Sequence, residues 1–160
     1  MIYAIAAVLV LILDQWLKYW VTVNIALDTG SITLIPGVLD LVNIHNTGAA
    51  FGILQGGAWR WIFVVIALVF VVIAVYAIRR GLIRGAIGRW AVVGVLAGAI
   101  GNCIDRVLNG EVVDYINLLF MQFAVFNFAD ICVCVGVGLW VLVIFLEELH
   151  AENGQSPKEQ

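Results

Sequence analysis

GNCIDRVLNGEVVDYINLLFMQFAVFNFAD, residues 101–130, ends one apolar run and begins another, and between them it carries Asp105, Arg106, Glu111, Asp114 and Asp130. An Asp at the centre of a membrane-crossing helix costs about 2.5–3.5 kcal/mol on insertion scales. Acids kept beside such runs point to a function, and Asp114 and Asp130 are read as a catalytic pair.

The composition around this stretch sets the class. Of 160 residues, 64% are hydrophobic and only 12% charged, and the mean hydropathy is +1.08, whereas ordinary soluble domains are about 25% charged. The chain reads as one integral membrane domain over 1–160, all-α in class, with four transmembrane helices and a small extracytoplasmic β-cradle or hairpin. A formal charge of -3 gives no sign of nucleic-acid binding. Cys103, Cys132 and Cys134 lie in apolar surroundings and read as small hydrophobes on lipid-buried helices. The spacing of the last two points them to different sides of a helix, so neither a zinc clip nor a disulfide follows.

The first spanning segment is residues 1–23, in which Asp14 and Lys18 stand four apart and can pair on one helix face. Trp16, Tyr19 and Trp20 read as interfacial anchors. Residues 24–58 hold no Lys or Arg and are broken by Asp28-Thr29-Gly30-Ser31, Pro36-Gly37 and Gly56-Gly57. Between the breaks, Ile32–Ile35 and Val38–Ile44 suggest a small hairpin on the membrane surface. Asn46-Thr-Gly-Ala-Ala-Phe-Gly52 follows, either a plain turn or a site of close backbone approach. Trp61 to Ile78 is an unbroken apolar run of 18 residues, roughly 27 Å as a helix. It is the second span.

Arg79, Arg80, Arg84 and Arg89 then cluster in a short loop, 79–89, which the positive-inside rule places in the cytoplasm. The third span, about 88–104, is rich in small residues. The fourth, 131–146, is short before Glu147 and Glu148, which places Asp130 a few Å beneath the outer surface. A polar tail, 147–160, is expected to be cytoplasmic and loose from His150 onward. Segments 24–58 and 105–129 therefore share the extracytoplasmic face.

Several chemistries lack their residues. The only histidines, His45 and His150, fall on opposite sides of the membrane in this topology, which leaves no HExxH-like metal site and no Cys-His pair. Serines occur only at 31 and 156, in a turn and in the tail, so a Ser-Lys peptidase is disfavoured. Carboxylates remain. Two of them about 4 Å apart repel by roughly 4 kcal/mol at an effective dielectric near 20, so the pair tends to keep one proton and can activate a water. The competing reading is a small proton-coupled transporter with Asp14, Asp114 and Asp130 as an intramembrane relay.

Five ordered blocks then mark a family. Asp14-Gln-Trp-Leu-Lys18, Asn46-Thr-Gly-Ala-Ala-Phe-Gly52, Gly98-Ala-Ile-Gly-Asn102-Cys-Ile-Asp105-Arg106, Val112-Val-Asp114-Tyr-Ile116 and Phe126-Asn127-Phe-Ala129-Asp130 resemble the lipoprotein signal peptidases, or signal peptidase II. The resemblance implies an aspartic endopeptidase of the bacterial cytoplasmic (inner) membrane that removes signal peptides from prolipoproteins before a diacylglyceryl-modified cysteine. It implies Asp114 and Asp130 as the dyad, Asn127 beside it, and Asn102 and Arg106 orienting substrate. Asn46, Gly48 and their neighbours would line the cleft. Gly98, Asp14 and Lys18 would lend support. Prolipoprotein and membrane lipid are the implied partners, with no metal or other cofactor.

Overall fold

The structure, a computed structural model, describes residues 1–48, 59–83 and 85–154. Four helices carry it: α1 (Ile2–Asn24), α2 (Trp59–Arg79), α3 (Gly85–Leu108) and α4 (Phe128–Gly154). Each contains a stretch long and apolar enough to cross a membrane. Three strands, β1 (Ser31–Ile35), β2 (Leu39–Asn46) and β3 (Val112–Leu118), form an antiparallel sheet in the order β1-β2-β3.

The helices run past the expected spans. α2 takes in Trp59 and Arg79, and α3 continues to Leu108, so that Asp105 and Arg106 stand in its last turns and not in the connecting segment. α3 can extend this far because Asp105 is buried against a cation, as described below. α4 starts at Phe128 and runs through Glu147 and Glu148 to Gly154. Glu is a good helix former and does not stop a helix, so α4 continues past the expected span, and the start of the tail expected to be loose is helical to Gly154. Residues 155–160 lie outside the described residues, as do Arg84, the Gly56-Gly57 break and the second half of the Asn46–Gly52 block.

α3 is the central post, packed along α4 and also against α1 and α2. The tight α3–α4 approach follows from missing side chains. A Cβ on Gly98 would collide with the backbone oxygen of Ala129; toward α1, one on Gly101 would lie 2.5 Å from Asp14 Oδ2. Gly98 therefore seats the start of α4.

The sheet is fixed to the end of the bundle where α1 and α3 finish and α4 begins. Val21 of α1 and Ile25 just past its end form a buried cluster with Val113 and Tyr115 of β3, joined by Trp20, Leu41 and Phe128. Trp20 is thus partly a packing residue, while Trp16 and Tyr19 stay exposed. Pairing passes from Leu41↔Ile116 to Ile44↔Asp114, so Val42 and Asn43 stand opposite the single residue Tyr115. This bulge turns Asn43 inward, where its Nδ2 donates to Ile25 O at 2.9 Å and its backbone carbonyl accepts from Asp28 N at 3.0 Å. The hairpin expected from 32–44 is present, with β3 as a third strand that the sequence reading did not separate from its surroundings.

Gly98→Ala is expected to push α4 off α3 and cost about 1–3 kcal/mol; thermal unfolding in detergent measures it, and an unchanged transition would contradict this account of the seam.

Candidate active site

β3 and the start of α4 deliver the two acids to one place. Asp114 stands mid-strand opposite Ile44, and Asp130 stands in the first turn of α4. What joins them is Asn127, the residue before the helix, which is 0% exposed. Its Nδ2 donates to Asp114 Oδ1 at 2.7 Å. Its backbone N–H donates to Asp130 Oδ2 at 3.0 Å, while its Oδ1 accepts from Asp130 N at 3.1 Å. The reciprocal pair of bonds is a capping box built from Asn and Asp. Asp130 is thereby fixed at the positive end of the α4 dipole.

Each acid receives a second donor. Asn46 Nδ2 reaches Asp114 Oδ2 at 2.9 Å, and Asn102 Nδ2 reaches Asp130 Oδ1 at 2.7 Å. Asn46 is held in turn by an Asx turn, with Gly48 N donating to its Oδ1 at 2.9 Å. Arg106 touches neither carboxylate. Its Nη2 donates to Gly48 O at 3.1 Å and its Nη1 to Asn102 O at 3.3 Å, with the guanidinium 4.8 Å over the Phe63 ring. It ties the Asn46–Gly48 turn to α3.

The acids open into a cavity of about 490 Å³. Asn46, Gly48, Asn102 and Arg106 share its polar wall with Asp114 and Asp130. Ile131, Cys134 and Val135 of α4 and the segment Phe123–Phe126 form an apolar wall. Burial pushes the Asp114 carboxyl up to about 6; the bonds from Asn46 and Asn127 oppose the rise, and the nearby Asp130 charge adds to it. Burial also raises the Tyr115 phenol, whose oxygen accepts Phe128 N at 3.2 Å.

Of the residues singled out in the sequence, Asp14 and Lys18 lie behind the cavity wall, both buried and 2.9 Å apart. Lys18 also meets Asp105 at 2.7 Å, and Asp14 Oδ1 accepts Ala129 N at 3.1 Å. Gly98 lies in the helix seam and is not among the cavity residues. Gln15, which bonds Asp14, Asp105 and Gly101 O, carries no signal in the sequence beyond its place between Asp14 and Lys18. The Phe123–Val125 wall and the His45–Glu111 pair, 2.6 Å apart at the β2–β3 edge, were likewise not singled out in the sequence. Ile131, Cys134 and Val135 were within reach, since helical periodicity places them around Asp130. Among the described residues, no three His, Cys, Asp or Glu side chains gather as metal ligands.

The chain that carries this site has relatives among known proteins over nearly its whole length. The family profile "Signal peptidase (SPase) II" matches residues 6–146. This chain belongs to the signal peptidase II family. The lipoprotein signal peptidase of Halalkalibacterium halodurans is 40% identical over 155 residues, covering 96% of this chain and 97% of that one. That of Symbiobacterium thermophilum is 41% identical over 150 residues, covering 92% and 97%. A solved bacterial membrane enzyme superposes with a TM-score of 0.83 at 31% identity, over 99% of this chain and 93% of its own. A second gives 0.79 at 34% identity, over 89% and 91%. As a signal peptidase II, the protein is a multi-pass membrane peptidase of lipoprotein processing.

Asn127→Ala removes a helix cap and leaves buried polar groups unpaired, an expected loss of roughly 2–4 kcal/mol. Chemical denaturation in mild detergent checks it; stability within a few tenths of wild type would show that the Asn127 bonds contribute little.

Proposed function

We propose that this peptidase is of the aspartic type and that Asp114 and Asp130 share one proton and activate a water between them. The supporting observation is Asn127, one buried side chain that bonds to both carboxylates and leaves them facing the same cavity. One carboxylate takes a proton from the water as it attacks the scissile carbonyl, and the other gives its proton toward the leaving amine. The two titrate as a pair.

The substrate in this proposal is a prolipoprotein, cut before its diacylglyceryl-modified cysteine. The apolar wall of Phe123–Phe126, Ile131 and Val135 suits an acylated chain, and the polar wall suits a peptide backbone. Arg79, Arg80 and Arg89 stand at the opposite end of the bundle from the acids. By the positive-inside rule the site then faces the extracytoplasmic side of the cytoplasmic membrane; in this proposal 24–58, of which 49–58 lie outside the described residues, acts as a clamp.

Asp114→Asn and Asp130→Asn are each expected to lower cleavage of diacylglyceryl prolipoprotein by about 10²–10⁴-fold, while the chain still folds. Cleavage at the wild-type rate in either variant contradicts the dyad. A transporter would cleave nothing in any form.

The pH dependence has a definite sign. Burial raises Asp114 to about 6, so the pair keeps its shared proton below that value and releases it above. With the singly protonated pair as the active state, kcat/KM declines as pH rises through about 6; a rate that climbs across the same interval rules the scheme out.

A further inference from the structure

Lys18 lies within a buried cluster behind the acids. Its ammonium has three protons and meets three oxygens: Asp105 Oδ2 at 2.7 Å, Asn102 Oδ1 at 2.8 Å and Asp14 Oδ2 at 2.9 Å. Charge neutralisation accounts for the two carboxylates. It does not account for the amide.

The two ends of an Asn amide have nearly the same shape, and a half-turn exchanges its carbonyl and its NH2. Lys18 breaks that symmetry, because an ammonium donates and never accepts. Whatever faces it at 2.8 Å must be the carbonyl. The Asn102 NH2 is then compelled toward Asp130 Oδ1 at 2.7 Å. A rotated amide would set NH2 against the ammonium and carbonyl oxygen against the carboxylate. Apart from Lys18, Asn102 Oδ1 has among the described residues only the long 3.3 Å bond from Asn127 Nδ2, whose principal partner is Asp114 at 2.7 Å.

We infer that Lys18 is a positioning residue for the reaction: it fixes which way the Asn102 amide faces, and so presents a donor to Asp130. This rests on the dyad reading. An amide NH2 requires its partner oxygen to accept, so Asp130 Oδ1 is held as an acceptor; a rotated amide would instead call for a proton on that oxygen. The direction of the hydrogen bonds is set on α1, by a side chain outside the cavity, and reaches Asp130 through α3. Gln15 cannot replace the lock, since its Nε2 is engaged with Asp14, Asp105 and Gly101 O.

The test uses the full-length protein in detergent with diacylglyceryl prolipoprotein as substrate, reading kcat and KM separately alongside thermal unfolding. Lys18→Met removes the lock but leaves two buried acids without their cation, and it can fail to fold. The double variant Lys18→Met/Asp105→Asn removes one positive and one negative charge together, so the cluster keeps its wild-type net charge. It is expected to fold and to lower kcat by about ten- to a hundredfold, the scale of one hydrogen bond to a charged group, with KM nearly unchanged. Folded variants with wild-type kcat overturn the proposal, and so does a loss confined to KM. Asp114→Asn and Asp130→Asn run in parallel: if they cleave normally, the dyad reading falls; if they are inactive while the Lys18 variants keep kcat, only the Lys18 inference falls.

Discussion

Asn127 is the constraint on which the site depends. Two carboxylates brought together at the edge of a membrane repel one another and lose solvation, and each effect alone would drive them apart or into water. A neutral side chain with two donors and an acceptor counters both without adding charge. Its amide satisfies Asp114, and its backbone and carbonyl lock Asp130 into the first turn of α4. The sheet then has a clear purpose. Asp114 must come from a separate element that can approach a helix start, and β3 provides it, anchored by Tyr115 to Phe128 N and by Val113 to the end of α1.

A second layer supports the first. Asp14, Lys18 and Asp105 are each 3% exposed or less, a burial supported by the ammonium that both carboxylates meet and by the donors Gln15 Nε2 and Ala129 N. Asp14 also holds Ala129 N, one residue before Asp130, and the absence of a side chain at Gly101 makes room for it. The charged cluster thus fixes α1, α3 and the start of α4 together behind the cavity. Removing one member leaves the others as buried charges, so its effect spreads to the acids through backbone and amide bonds.

Much of this was legible in the sequence, for particular reasons. The four helices follow from run length and apolarity, and the acids stand out because hydrocarbon penalises them. The Asp14–Lys18 pair follows from helical spacing. β3 was not legible: Val112–Leu118 is seven residues of mixed apolar character, and its partner β2 lies far back in the chain, a pairing that no local period reveals. The role of Asn127 as a cap was open to reading in its three-residue spacing from Asp130, but its bond to Asp114 depends on the tertiary fold. Gly98 reads as part of a site motif and proves to be a packing seat, since a glycine's function depends on what approaches it. The helices extend beyond the expected membrane spans, because Asp105 and Glu147 are helical residues with local reasons to be so.

The central claim is that both carboxylates act on one reacting centre. The most direct measurement is a crystal structure of the full chain with a peptide mimic whose scissile amide is replaced by a hydroxymethylene group, standing in for the hydrated carbonyl. The account predicts that hydroxyl within about 3 Å of an oxygen of Asp114 and an oxygen of Asp130 at once. A mimic seated in the cavity with its hydroxyl on one acid alone, or on neither, would contradict it.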